Sequence, residues 1–185
     1  MGKGYHEDEK FETIDYSEKE LSGYEFSNCN FVNCNFTKSN LRGTEFIDCS
    51  FQDCNFSLVQ FNDASLKSIH FLNCKIIGVN FSVCNDFLFA VDFKNCNLEY
   101  SSFSQKKMKK TVFKDCSLKE VDFTDTDLSL AVFHECNLEG AVFVQSNLEK
   151  ADFRTARNYG FDPELNKVKG AKFSVPEVLG LLQKI

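Results

Sequence analysis

Large apolar residues recur at every fifth position through the first half of the chain. The series begins at Phe11 and runs without interruption to Phe81, and most of its members are Phe or Leu. A helix repeats a face about every 3.6 residues and a strand about every 2 residues. A period of five fits neither element, so each five-residue unit must combine a short extended segment with a turn.

Each unit has a second, smaller position two residues before the large one. Cys, Ser, Thr, Val or Ala fills it in most units, and the residue between the two positions is often Asn. Alternate residues of an extended chain face the same side. We therefore expect the small and large residues to face a common axis, with the residue between them in water.

These units resemble the pentapeptide repeat family, whose units read small residue, Asp or Asn, Leu or Phe, and then two variable residues. The resemblance is carried by FSNCNFVNCNFTKSN (26–40) and AVFHECNLEGAVFVQSNLEKADF (131–153), and it covers roughly residues 24–156. It implies an all-β solenoid, a right-handed quadrilateral β-helix in which four units form one coil.

Side chains 20 residues apart should then stack along the axis. One predicted column is entirely aromatic, at Phe11, Phe31, Phe51, Phe71, Phe93, Phe113, Phe133 and Phe153. The next side carries a cysteine column, at Cys34, Cys54, Cys74, Cys96, Cys116 and Cys136. Thiols stacked in a line neither converge on a zinc ion nor bring their Cβ atoms to disulfide distance. The column is therefore predicted to be structural.

Two irregularities interrupt the repeat. The spacing from Cys74 to Cys96 is 22 residues, which places an insertion within 82–90, and the segment 104–110 reads SQKKMKK with Lys106 in a small inward slot. Both fall on one side of the rod in adjacent coils. The candidate partner surface therefore comprises Phe87, Phe89, Lys106, Lys107, Lys109 and Lys110. The alternative interpretation is that the solenoid tolerates an insertion here and the lysines simply solvate it.

The two ends are predicted to differ from the repeat. Residues 1–10 lack periodicity and are expected to be a mobile tail, so the β-helix would occupy 11–173. The segment SVPE is a capping box that predicts an α-helix over 174–185. Its apolar residues are Val178, Leu179, Leu181, Leu182 and Ile185. Such a helix could cap the open end of the solenoid or pair with its twin in a homodimer.

Composition narrows the functional classes. The 185 residues are 43% hydrophobic, which suits one globular domain, and the net charge of −6 comes mostly from residues 1–25. An acidic chain does not favour direct binding of nucleic acid. The polar N-terminus and the absence of a long apolar run indicate a cytoplasmic protein without a membrane span, in which the nine cysteines stay reduced.

No catalytic set or cofactor motif is apparent. His6, His70 and His134 fall in distant parts of the rod. We therefore expect a non-enzymatic solenoid that binds an unknown protein partner and no cofactor. The resemblance also suggests a second function, that of the Qnr-type members, which mimic DNA, bind DNA gyrase or topoisomerase IV and protect against fluoroquinolones. Dense negative charge would favour that function, yet residues 26–85 have four acidic and four basic side chains.

Overall fold

Short parallel strands wind around a single axis in the computed structural model, which describes residues 4–181. One sheet has the strand order β1-β3-β5-β7 and the other has the order β11-β10-β9-β8-β6-β4-β2. The strands are β1 Tyr5–Glu7, β2 Lys10–Glu12, β3 Glu25–Ser27, β4 Asn30–Val32, β5 Glu45–Ile47, β6 Ser50–Gln52, β7 Ser65–Lys67, β8 Ile69–Leu72, β9 Val91–Lys94, β10 Val112–Lys114 and β11 Val132–His134. Two 3-10 helices follow, at Pro163–Leu165 and Glu177–Leu181.

The register confirms the coil predicted from the sequence. Phe31 pairs with Phe51, and Phe113 with Phe133, in each case one coil of 20 residues apart. The two sides without a continuous sheet are held by isolated parallel bridges, among them Asn35 to Asn55 on the cysteine side. Strands on two sides and bridges on the other two form the four sides of the predicted quadrilateral β-helix.

The aromatic column forms the centre of the core. The Phe31 and Phe51 rings stack with centroids 4.8 Å apart, and Phe113 stacks on Phe133 at 5.2 Å. Rings of this column also meet neighbouring rings edge to face, as Phe123 meets Phe113 at 5.8 Å. Each such pair adds about 0.5–1.5 kcal/mol beyond the burial of its area. Aromatic stacking therefore fixes the register that the five-residue period encodes.

The cysteines pack inside the coil with their thiols free. All nine are buried, and the sulfurs approach backbone carbonyls, as when Cys54 Sγ donates to Gln52 O at 3.2 Å. Burial raises the pKa of Cys49 to about 11 and that of Cys84 to about 12. The thiols of Cys49 and Cys84 therefore stay protonated and unreactive near neutral pH.

We predict that Cys96→Ala lowers the free energy of unfolding by only about 1 kcal/mol, because it removes one small buried group. Circular dichroism should report an unchanged fold, and chemical denaturation should report the small loss. Zinc that co-purifies with the protein and disappears in the variant would contradict the structural role of the column.

The first coil starts earlier than the sequence suggested. Residues 1–10 were expected to be a tail, but β1 pairs with β3 from Tyr5 to Glu7, and β2 begins at Lys10. The His6 ring stacks on Phe26 with centroids 5.1 Å apart. The His6 imidazole thus acts as the first ring of an aromatic stack. The five-residue series of apolar residues did not include it because histidine is polar.

The C-terminal segment also differs from its prediction. An α-helix was expected over 174–185, whereas the described part forms a 3-10 helix at Glu177–Leu181. Gly180 lies so close to the coil that a Cβ placed on it would be 2.1 Å from the Tyr159 carbonyl oxygen. This contact of backbone on backbone fixes the path of the segment. Leu182 and Ile185 lie outside the described residues.

Candidate functional site

The insertion begins after Cys84 and ends before Val91. Asn85 N donates to Ala64 O across 21 residues, the same separation as that between Ser65 N and Thr44 O one coil earlier. Ile69, in contrast, pairs with Val91 at a separation of 22 residues instead of the regular 20. Asn85 N and Ala90 N donate to the previous coil on either side of the extra residues. The surplus therefore forms a turn within 86–89 that projects from one corner of the rod.

Lys106 supports this turn from the inside. Its column otherwise holds small side chains, at Thr44, Ala64, Cys84, Thr126 and Ser146, all of them buried. Lys106 is itself only 2% exposed. Its Nζ donates to Cys84 O at 2.5 Å and to Asp86 Oδ1 at 2.6 Å, and lies 5.4 Å from the centroid of the Phe89 ring. A buried ammonium is stable only where such partners replace water.

The insertion and the lysine therefore form one unit. In regular coils the same position bonds a carbonyl with a short hydroxyl, as Thr126 Oγ1 does with Phe103 O at 2.9 Å. Lys106 has a longer side chain and reaches instead the Cys84 carbonyl and the Asp86 carboxylate, at the start of the insertion. The two irregularities that the sequence placed side by side are in direct contact.

The exposed part of the turn is apolar. Phe87 is 67% exposed and Leu88 is 64% exposed, whereas Phe89 is 8% exposed. Leu88 has a φ of 59°. The residues at the same corner in the coils on either side, Ser68 and Lys110, also have a positive φ. This conformation points Leu88 outward and turns Phe89 into the core.

The surface thus differs from the predicted set. Phe89 and Lys106 are buried beneath it, while Lys107, Lys109 and Lys110 are exposed. We name Phe87, Leu88, Lys107, Lys109 and Lys110 the corner patch. A further lysine contributes, since Lys67 Nζ lies 5.7 Å from the centroid of the Phe87 ring. The patch is an apolar pair with cations on both sides of it.

Sequence reasoning missed Leu88 and Asp86. Leu88 was not among the predicted surface residues, and its exposure follows from the left-handed corner conformation. Asp86 was overlooked because it lies 20 residues before Lys106 in the sequence. Two charges so far apart along the chain are expected to be close in space only once the length of a coil is known. An acid one coil away from a lysine in an inward slot is the signal that could have found it.

Comparison with known proteins identifies the repeat. The sequence profile described as "Pentapeptide repeat region" matches residues 24–86 and 87–158, two segments that meet at the insertion. The chain belongs to the pentapeptide repeat family. A comparison of this pentapeptide repeat protein with curated protein sequences found no match.

Two solved structures of the family share its fold. HetL, a protein involved in heterocyst differentiation regulation in the cyanobacterium Nostoc sp. strain PCC 7120, is 13% identical with a TM-score of 0.65, and the match covers 94% of this chain and 87% of HetL. QnrB1, a plasmid-mediated fluoroquinolone resistance protein, is 22% identical with a TM-score of 0.51, over 98% of this chain and 92% of QnrB1. At these identities the comparison shows the fold alone.

Only some of the residues predicted for the dimer helix of this pentapeptide repeat protein lie at the surface. Val178 and Leu179 are exposed, whereas Leu181 packs in part against the core. Among residues 4–181, no helix has the length and apolar character that a membrane span requires.

Apart from the corner patch, the rod has a concave region at its C-terminal end. It is a cavity of about 690 Å³ between the coil residues 140–144, the segment 158–162 and the C-terminal residues 176–180. Leu165 and Phe161 contribute to its apolar wall, and Asp162 and Glu177 are the charged residues that line it.

Proposed function

We propose that this pentapeptide repeat protein is a non-enzymatic interaction protein and that the corner patch is its contact surface for a protein partner. The observation that carries the proposal is the exposure of Phe87 and Leu88 on a turn that a buried lysine holds in place. Exposed aromatic side chains on rigid supports are typical of the residues that dominate binding energy at interfaces.

The chemistry of the patch favours an acidic partner with an apolar side chain. Lys107, Lys109 and Lys110 are exposed in the coil that follows the apolar pair, and Asp86 is the carboxylate within the turn 86–89. Asp86 already accepts from Lys106 Nζ. Carboxylates of a partner would steer its approach to the lysines, and an apolar side chain would pack against Phe87.

We expect Leu88→Asp to abolish capture of the partner in an affinity purification with quantitative mass spectrometry. A carboxylate at the centre of the contact would be desolvated on binding and would repel an acidic partner. Leu58→Asp is a matched control, because Leu58 is also an exposed leucine with a positive φ, at another corner. Equal losses in the two variants, or no loss in either, would rule out the patch.

Binding to a type II topoisomerase is the second candidate function. It is favoured by the similarity in fold to QnrB1 over nearly the whole chain. It is disfavoured by charge, because the acidic side chains concentrate in the first coil and residues 26–85 are neutral overall. A supercoiling assay with purified DNA gyrase and a fluoroquinolone separates the two functions. If the protein neither restores nor inhibits supercoiling, the topoisomerase function is wrong.

Two further expectations belong to this proposal. A homodimer through the exposed Val178 and Leu179 stays a prediction, which light scattering on the intact chain and on Leu179→Glu would decide. The cytoplasmic location expected from the acidic N-terminus also stays a prediction.

A further inference from the structure

A break in the third side of the coil leaves backbone groups unpaired inside the C-terminal cavity. The bridges on this side run from Asn80 to Ser102, to Asp122 and to Val142, and the ladder of the described residues ends there. On the aromatic and fourth sides the pairing continues one coil further, to Lys172 and Lys167. Within the described residues the third side thus lacks a bridge in two places, between Gln60 and Asn80 and again beyond Val142, and the second gap, the missing rung, lies in the C-terminal cavity.

The missing rung has a defined hydrogen-bonding pattern. In the coil before it, Phe123 N donates to Val142 O at 2.9 Å and Val142 N donates to Val121 O at 2.9 Å. The equivalent groups one coil later are Phe143 N and Ala141 O. Within residues 4–181, neither has a hydrogen-bond partner, because the chain leaves the repeat at Asn158 and returns to it near Asn166. A single residue of an extended chain, placed opposite Val142, would satisfy both groups.

The surroundings of these groups suit a peptide with large and small apolar residues. Val142 is 42% exposed and Leu165 is 54% exposed, and both line the cavity with Phe143 and Phe161. The two side chains that flank the pairing residue of a bound peptide would point into this space, since alternate residues of an extended chain share a face. The cavity of about 690 Å³ is large enough for them.

The charge at the cavity selects among such peptides. Asp162 and Glu177 line it, and its lining includes no lysine or arginine. Basic side chains on either side of the apolar ones would therefore be attracted to the cavity.

We infer that this cavity is a docking site for an extended, basic–apolar peptide segment of another protein, which adds the missing rung by pairing with Ala141 O and Phe143 N. The site is separate from the corner patch and does not depend on it. Main-chain pairing supplies the orientation, and the cavity and its two carboxylates supply the specificity.

The test uses a peptide that copies the chain's own small–polar–large pattern, acetyl-KAKFK-amide, and follows the Phe143 amide by NMR on the full chain. In the free protein this amide should exchange with solvent faster than that of Phe123, which is hydrogen-bonded. The peptide should shift the Phe143 signal saturably and slow its exchange. Methylation of the central peptide nitrogen removes the donor to Ala141 O and should weaken binding about tenfold.

Two variants complete the design. Leu165→Lys should weaken binding about tenfold or more, because it places a positive charge in the apolar wall that repels the basic peptide, whereas the remote Leu58→Lys should have no effect. No shift at Phe143 up to about 2 mM peptide would overturn the inference, because main-chain pairing together with an apolar cavity and two carboxylates should bind the peptide more tightly than that. A shift that occurs only after removal of residues 182–185 would also overturn it, because the chain's own terminus would then be the occupant. Loss of partner capture by Leu88→Asp leaves this test unaffected, so the two proposals can fail independently.

Discussion

Replacing Phe113 by alanine is expected to lower the free energy of unfolding by about 3–5 kcal/mol, the cost of removing a fully buried aromatic ring from a packed core. Phe113 is 0% exposed, and its ring stacks on Phe93 at 5.4 Å and on Phe133 at 5.2 Å. The neighbouring coils are fixed by their own bridges and cannot close around the space. Chemical denaturation followed by far-ultraviolet circular dichroism measures the change.

Phe87→Ala is the matched control for that experiment. Phe87 is a phenylalanine on the surface, and its loss should change stability by no more than about 0.5 kcal/mol. Similar losses in the two variants would mean that the stacked column does not dominate the core. A small loss in Phe113→Ala alone would mean that the coil can repack around a missing ring.

Lys106→Met is expected to lower the free energy of unfolding by about 1–3 kcal/mol, although methionine keeps the apolar part of the side chain and suits a buried site. The loss comes from the ammonium. Without it the Cys84 carbonyl is left without this hydrogen bond inside the coil, and Asp86 is no longer tied to the rod. Hydrogen exchange measured by mass spectrometry should therefore quicken in 85–90 and remain unchanged in regular coils.

Lys107→Met provides the control, because this neighbouring lysine is exposed and its loss should fall within about 0.5 kcal/mol. If Lys106→Met leaves both stability and exchange in 85–90 unchanged, the buried ammonium does not hold the turn. If Lys106→Met is more stable than the wild type, desolvation of the buried ammonium costs more free energy than its hydrogen bonds contribute.

The regular part of this fold could be predicted because every five-residue unit has the same arrangement of buried and exposed positions. A five-residue unit must place two side chains inside and one outside, and the count from Phe11 to Phe81 records this directly. The positions of the aromatic and cysteine columns then follow from four units in a coil. The pairing of Phe31 with Phe51 required no information beyond the spacing.

The site was predictable in position but not in detail. The spacing from Cys74 to Cys96 located the insertion, yet it could not say which of Phe87 and Phe89 faces inward, since that depends on the left-handed conformation of Leu88. Lys106 was placed in the candidate partner surface although the count puts it in a small inward slot, where a lysine is costly without partners. Its partners are supplied by the insertion itself, and their geometry is a property of the folded coil.

The ends were the least predictable parts for a similar reason. The first coil uses His6 as a ring in an aromatic stack, and the last segment depends on the approach of Gly180 to the Tyr159 carbonyl. Both are tertiary contacts with no local pattern in the sequence. The missing rung beside Phe143 likewise becomes visible only where the coil departs from its repeat.

Photo-crosslinking in cells tests the central claim most directly. A benzophenone amino acid is placed at position 87, in the corner patch, and at position 58, an exposed corner without lysines on both sides. The account predicts a discrete crosslinked product with an acidic protein from position 87 and none from position 58. Products of equal yield from both positions, or none from position 87, would contradict the claim that this pentapeptide repeat protein binds its partner through the turn that Lys106 supports.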